Sequence, residues 1–254
     1  MRVSVVTPTF GRPELLPDIY GCWAAQSYAD REWLVLDDSP QPSAFMLDLR
    51  DPRVRYHHRP ERMTLGAKRN WLVAEAQGEL VAHFDDDDHY SRDYLARMVD
   101  RLGDADLVKL AAFYIYSVRA RVFAYWDTRE MPRVLWRLKG DEAPQLSPTV
   151  GVPTATLDSF SHRNLRGYGF SYLYRRALFP NARFPEIGHG EDYEFVVALE
   201  QAGRKLRFID DDQGLALVMR HPGCQSVLFP QYLLPPALLP RLFPDVVVSP
   251  GRGQ

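Results

Sequence analysis

The chain has 254 residues, 46% of them hydrophobic and 25% charged, with a formal net charge of −2 at pH 7. That length suits one large domain, or one domain with an appendage, around a core of ordinary size. The near-neutral balance excludes the broad basic field that nucleic acid or an acidic membrane would need, and no apolar run approaches the roughly 20 residues that cross a bilayer.

The opening MRVSVVTPTF is too short and too polar for a signal peptide, so a soluble cytoplasmic protein is expected, free or at the inner membrane face. RVSVVTPTF itself is a β-branched run ended by Pro8. PELLPDIYGCWAAQ has helical spacing with Pro13 near its start. REWLVLDD and PRVRYHHR read as strands. LGAKRNWLVAEAQ is a helix with Trp71, Leu72 and Ala76 on one face, and Gly78 is expected to end it. ELVAHFDDDD is a fourth strand, and SRDYLARMVDRL a helix expected to be capped by Ser91. The order β-α-β-β-α-β-α predicts an α/β fold with a mainly parallel sheet flanked by helices.

From Leu110 to about Phe160 the pattern changes to aromatics among prolines and polar loops, read as paired strands and loops. RGYGFSYLYRRALF looks like a strand entering a helix. GEDYEFVVALEQAG is a helix that opens on Glu191 and Asp192 and stops at Gly203. KLRFID and LALVMRH are late strands. The expected organisation is 1–105, 106–225 and a tail, 226–254. That tail, rich in leucine and proline, is the expected irregular region; it either packs back on its own domain or touches a membrane face or a partner. Cys22 and Cys224 lack metal-ligand spacing and are read as small buried apolar residues in a reducing compartment, a single disulfide being the alternative. His57, His58 and His83 are read as packing or surface residues.

Three apolar strands end in polar clusters: Thr7-Pro8-Thr9, Asp37-Asp38-Ser39, and the run Asp85, Asp86, Asp87, Asp88. In a parallel sheet these ends share one edge, where ligands of open α/β sheets bind. Four adjacent carboxylates are either a solvated turn at a helix start or hard oxygen donors for Mg²⁺ or Mn²⁺ beside substrate phosphates. The second acidic pair at a neighbouring strand end favours the metal. Lys68-Arg69-Asn70, on a helix just ahead, either faces solvent or meets those phosphates. Asp192, with Glu191 beside it, is either a helix-start carboxylate or a general base. His221, at the end of LALVMRH, is a further candidate metal ligand or phosphate contact.

VSVVTPTFGRPELL, WLVLDDSP, GAKRNWLVAEAQGELVAHFDDDDHYSRDYL and HGEDYEF, in this order and spacing, resemble the family 2 glycosyltransferases of GT-A fold. The likeness covers roughly residues 1–105 and resumes around 165–225. It implies a Rossmann-like sheet, a nucleotide-diphospho-sugar donor (UDP-sugar by default) and a divalent cation. By motif position Thr7, Pro8 and Thr9 would line the nucleoside pocket, with Arg12 also on the nucleotide. Asp37 or Asp38 would take the base, and Lys68 and Asn70 would lie near ribose and phosphates. The family's DxD motif maps on Asp85, Asp86 and Asp87, so that Asp85 approaches the ribose and Asp87 holds the metal, with Asp88 a competing ligand. Asp192 would deprotonate the acceptor hydroxyl, and direct attack would invert the anomeric carbon. A QxxRW signature is absent, which points to single transfers and not to processive synthesis. Lys68 stands where the family has a small residue, and Ser39-Pro40 where it often has Gly-Ser, which stiffens the turn at the base pocket. The aromatic insert would form part of the acceptor site, with Trp126, Tyr168 and Phe170 as candidates; the acceptor classes are a glycan, a lipid-linked sugar, a small molecule or a peptide. A sugar nucleotidyltransferase and a non-catalytic carbohydrate-binding module are the alternatives. The first would be expected to carry a glycine-rich basic loop, which TPTFGRP lacks, and the second has no need of Asp192.

Overall fold

A computed structural model describes residues 1–179, 181–224 and 226–246. In chain order the major elements are β1 (Val3–Thr9), α1 (Leu16–Ala24), β2 (Arg31–Asp37), β3 (Val54–His58), α2 (Leu65–Glu75), β4 (Leu80–His83), α3 (Tyr94–Leu102), β5 (Leu107–Ser117), β6 (Val122–Asp127), α4 (Thr154–Arg166), β7 (Leu173–Arg175), α5 (Glu191–Gln201), β8 (Ala216–Arg220) and β9 (Tyr232–Leu234). They form two compact units. The first holds Met1–Lys109 and Arg166–Phe208; the second holds Leu110–Leu165 and the chain from Ile209 onward.

In the first unit the strands run β7-β4-β1-β2-β3. β1, β2, β3 and β4 are parallel and β7 is antiparallel to β4. Val3, Val5, Val6, Leu34, Leu36, Leu80 and Val81 are all fully buried, as expected of near-continuous apolar strands covered on both faces. One face packs Leu72 and Val73 of α2 and Phe195, Val196 and Leu199 of α5 into a single cluster with Val6, Leu34, Leu36 and Val81. Elsewhere Trp23 of α1 stacks on Trp33 of β2 at 5.9 Å. Arg31 donates to the carbonyls of Trp23, Ala24 and Tyr28, which occupies acceptors that the end of α1 leaves open.

The register fixes which residues share the carboxyl edge of the sheet. Thr9 pairs with Asp37, and Val6 with His83, so the chain leaves β1, β2 and β4 side by side. Two glycines set the spacing behind that edge. A Cβ on Gly78 would lie 2.7 Å from the Arg2 carbonyl oxygen and the Ser4 nitrogen, so Gly78 is a close approach to β1; α2 already ends at Glu75, with Ala76 extended. A Cβ on Gly66 would lie 1.8 Å from the Pro185 carbonyl oxygen, and the Gly66 N–H donates to Ile187 O at 3.2 Å. Ser91 does not cap α3 through its side chain as expected: the helix starts at Tyr94, whose N–H takes the Ser91 carbonyl at 3.0 Å.

In the second unit β5 pairs antiparallel with β6, β6 with β9, and β8 lies parallel to β5. Val134–Lys139 sits between Gln145–Pro148 and Val227–Leu228 in a small separate sheet. The insert also contains a helix that its aromatic pattern hid, α4. The stretch after it is a short strand, β7, between two turns of 3₁₀ helix. The tail is ordered as far as it is described. β9 joins β6, and Leu239 and Phe243 are buried with Tyr114, Tyr116, Phe123, Leu217 and Met219. The expectation for residues 247–254 lies outside the described residues. Among the described residues no helix is long and apolar enough to cross a membrane.

Candidate active site

The first unit collects buried charge at the carboxyl edge of its sheet. Thr9 donates to Asp86 Oδ2 at 2.5 Å. Arg12, on the loop after β1, reaches Asp86 Oδ1 at 3.0 Å and Asp87 Oδ2 at 2.7 Å through one nitrogen. Burial, then the charge of Asp87, pushes Asp86 up to about 6. Burial likewise pushes Asp85 up to about 7, with Asp87 and Asp86 adding to it and Arg69 opposing. Burial is the first cause of both shifts, and the neighbouring carboxylates add to it. Its donors are hard carboxylate oxygens, the set that Mg²⁺ and Mn²⁺ prefer, so these residues fit a divalent cation. Arg12 engages Asp86 and Asp87 alike, and Thr9 takes Asp86 as well.

Arg69 joins this run to the other end of the chain. It is 2% exposed, and its Nη1 donates to Glu191 Oε1 at 2.6 Å while Nη2 lies 3.6 Å from Asp85 Oδ1. Asp192 follows Glu191 in the first turn of α5, which starts after Gly190 at φ +83°. Its Oδ2 accepts from Gly169 N–H at 2.8 Å and its Oδ1 from Tyr193 N–H at 2.7 Å. Burial raises Glu191, with Arg69 opposing; burial lowers Arg69, but Glu191 and Asp85 more than offset it, so the guanidinium stays charged. A Cβ on Gly169 would lie 2.7 Å from Arg69 Nη1 and 3.1 Å from Asp192 Cβ, so only glycine permits this approach. Tyr168, just before it, holds φ +62°, which is uncommon outside glycine.

Several expected contacts turn inward instead. Thr7 is fully buried and accepts from Trp33 Nε1 at 2.9 Å. Pro8 is half-buried within β1. Asp37 accepts from both groups of Ser39 and from the Tyr56 hydroxyl, the latter at 2.6 Å, and so organises its own turn. Asp38 takes Arg62, the Met63 N–H and, at 2.6 Å, Lys68 Nζ. Burial pushes Asp38 up, yet Lys68, Met63 and Arg62 outweigh it and hold the carboxyl low. Lys68 is buried between Asp38 and the Thr9 carbonyl, so α2 presents its basic pair to the interior and not to solvent. The Asn70 amide donates to Phe184 O at 2.8 Å and accepts from Phe184 N–H at 2.9 Å.

Of the acceptor candidates, Trp126 belongs to the second unit, is buried, and packs against Phe113 and Phe229. Phe170 is buried too, and its carbonyl accepts from Tyr90. Only Tyr168 is partly exposed. His221 directly follows β8 in the second unit, and its Nδ1 accepts from Gly223 N–H at 3.1 Å. Arg69 as the link, Tyr90, Lys109, Gly169 and Tyr172 were not singled out by sequence. A lone lysine inside the apolar strand LVKLAAFYIYS was the available signal for Lys109, because lysine is almost never fully buried unless paired.

Residues 4–163 match the family model "Glycosyl transferase family 2", and the chain belongs to that family. Its parallel sheet flanked by helices is the GT-A type of α/β fold, shared with solved glycosyltransferases. Over 98 residues the chain is 30% identical to the colanic acid biosynthesis glycosyl transferase WcaA of Escherichia coli K12, a stretch that is 37% of this chain and 35% of that protein. TarS residues 1–349 of S. aureus in complex with UDP-GlcNAc superimpose with a TM-score of 0.61 at 17% identity, over 87% of this chain and 59% of that one. The mannosyltransferase PcManGT of Pyrobaculum calidifontis, in complex with GDP-Man and Mn²⁺, gives 0.57 at 16%, over 86% and 56%. The chain thus spans less than two thirds of the length of each of these proteins.

Proposed function

We propose that the chain moves a sugar from a nucleotide-diphospho-sugar to an acceptor hydroxyl in one inverting displacement, with UDP the default nucleotide. The observation that carries this reading is Arg69, bonded to Glu191 and paired with Asp85, which draws the acidic run and the start of α5 into one electrostatic unit. Family membership supports it, and similar folds hold UDP-GlcNAc in TarS and GDP-Man with Mn²⁺ in PcManGT.

In this reading Asp85 and Asp86 face the donor, and Asp87, with Asp88 as a competing ligand, would hold Mn²⁺ or Mg²⁺. A bound divalent cation would shield the diphosphate and stabilise charge on the leaving nucleotide. Arg12, already on Asp86 and Asp87, supplies a second positive charge to the phosphates. Asp192 takes the acceptor proton. Its two N–H bonds fix the carboxylate plane and leave lone pairs open to a hydroxyl. Glu191 acts through Arg69 and holds it between the two acidic groups. Tyr168, the partly exposed ring beside the base, faces the acceptor.

Calorimetric titration of UDP, GDP, dTDP and CDP, each with Mn²⁺ and with chelator, tests the reading. Mn²⁺-dependent binding of one nucleotide is expected and names the donor class. No binding of any nucleotide under either condition overturns it.

A further inference from the structure

The first unit contains a second built charge that the mechanism above leaves unused. Lys109 is 0% exposed, and its Nζ donates to the carbonyl of Gly167. Burial pulls this amine down to about 7, with the Asp192 carboxylate opposing. A buried cation is costly, and an apolar chain of similar length would pack there without that cost. The turn that it grips is strained and crowded: Tyr168 holds φ +62°, and Gly169 is pressed against Arg69 and Asp192 with no room for a Cβ. Tyr172 grips the residue just before the same turn. Its hydroxyl donates to the Arg166 carbonyl and lies 3.2 Å from the Asp192 carbonyl oxygen, while the Arg166 guanidinium is paired with Glu200. The turn's product is one contact, Gly169 N–H to Asp192 Oδ2 at 2.8 Å.

We propose that Lys109 and Tyr172 are positioning residues, which lock the turn 167–169 so that the Gly169 N–H aims the carboxylate of Asp192. The inference rests on Asp192 being the base. A left-handed tyrosine relaxes unless its surroundings over-determine it. Lys109 holds the carbonyl before that residue, and Tyr172 holds the carbonyl of Arg166, one residue earlier. Removing either clamp frees the amide that orients the base, while the sheet beneath, built on apolar strands, stays folded.

The test is amide hydrogen exchange on the ¹⁵N-labelled full chain, comparing wild type with Lys109→Met and Tyr172→Phe. Exchange at Gly169 is expected to speed up at least tenfold in both variants, with β1 and β4 amides unchanged. Turnover of UDP-N-acetylglucosamine or GDP-mannose with Mn²⁺ is the second readout: kcat falls at least tenfold and KM holds. A Gly169 amide as protected as in wild type overturns the proposal, and so does a uniform loss of protection across the unit in Tyr172→Phe. Should Lys109→Met fail to fold, Tyr172→Phe alone decides. The glycosyl-transfer reading fails separately, on the nucleotide titration, which neither variant enters.

Discussion

Two acidic runs leave strand ends in this molecule, and they are neutralised in opposite ways. In the second unit Asp211 is 0% exposed, and its carboxylate takes the N–H groups of Gln213, Gly214, Leu215 and Ala216. Its neighbour Asp210 pairs with Arg129. Burial keeps Asp211 raised, as it does in the first unit, but here the opposing partners are backbone donors of its own turn. In the first unit Asp85, Asp86 and Asp87 meet Arg12, Arg69 and Thr9, and the first two remain pushed up to about 7 and about 6. An acidic run whose charge goes to backbone donors is architecture. One that meets only side-chain cations and a hydroxyl keeps the hard-oxygen donor chemistry that suits a divalent cation.

The contrast is sharpest if broken at the base. Asp192→Asn is expected to cut transfer by about 10² to 10⁴, the range for a lost general base, with donor affinity unchanged by calorimetry. Unchanged turnover would remove Asp192 from the chemistry. Next, Asp87→Asn is expected to abolish Mn²⁺-dependent nucleotide binding without shifting the thermal midpoint. Asp211→Asn should do the reverse: it keeps nucleotide binding and loses about 2 kcal/mol of stability, because an amide cannot accept all of the N–H bonds that the carboxylate holds. If both variants lose binding alone, the two runs are not different in kind.

Acidity provides a finer test. Asp86, raised to about 6, binds a proton more tightly in the folded chain than in the unfolded one. Its contribution to stability is full below the unfolded value of about 4 and is lost as pH rises through about 6. Relative to wild type, Asp86→Asn should therefore gain stability on the order of 1 kcal/mol between pH 5 and pH 7.5, measured by urea denaturation. Asp38, held low by Lys68, Met63 and Arg62, has the opposite sign: its contribution is present above an unfolded value of about 4 and is lost as pH falls through its lower folded value. A flat difference curve for Asp86→Asn would mean that its charge is fully compensated. The smallest effect is expected at Asn70→Ala: about 1 kcal/mol from the lost clamp on Phe184, and no change in nucleotide affinity.

Strand positions were legible because β-branched runs buried on both faces need little tertiary information, and the register then gathers Thr9, Asp37 and the run after His83 at one edge. Glu191 and Asp192 were legible as a helix start. What escaped depends on partners distant in sequence. Asn70 is decided by the backbone of Phe184, Lys68 by Asp38, and Lys109 by the carbonyl of Gly167. Glycine commonly ends helices, but Gly78 instead yields room to β1. Trp126 looked like a sugar platform, but its ring is spent on Phe113 and Phe229.

Gly66 gives the site a dimension that no charge-based substitution will detect. The helix that carries Lys68 and Arg69 meets the segment before Glu191 backbone to backbone, with a carbonyl where any side chain would begin. For anyone building variant libraries, position 66 therefore works as a gauge block: every other residue is a thicker shim, driving Arg69 away from Glu191 while each charged group in the site keeps its wild-type identity. Inactive clones from such a library would carry intact motifs, and would be misread as catalytic lesions unless position 66 is fixed at the outset.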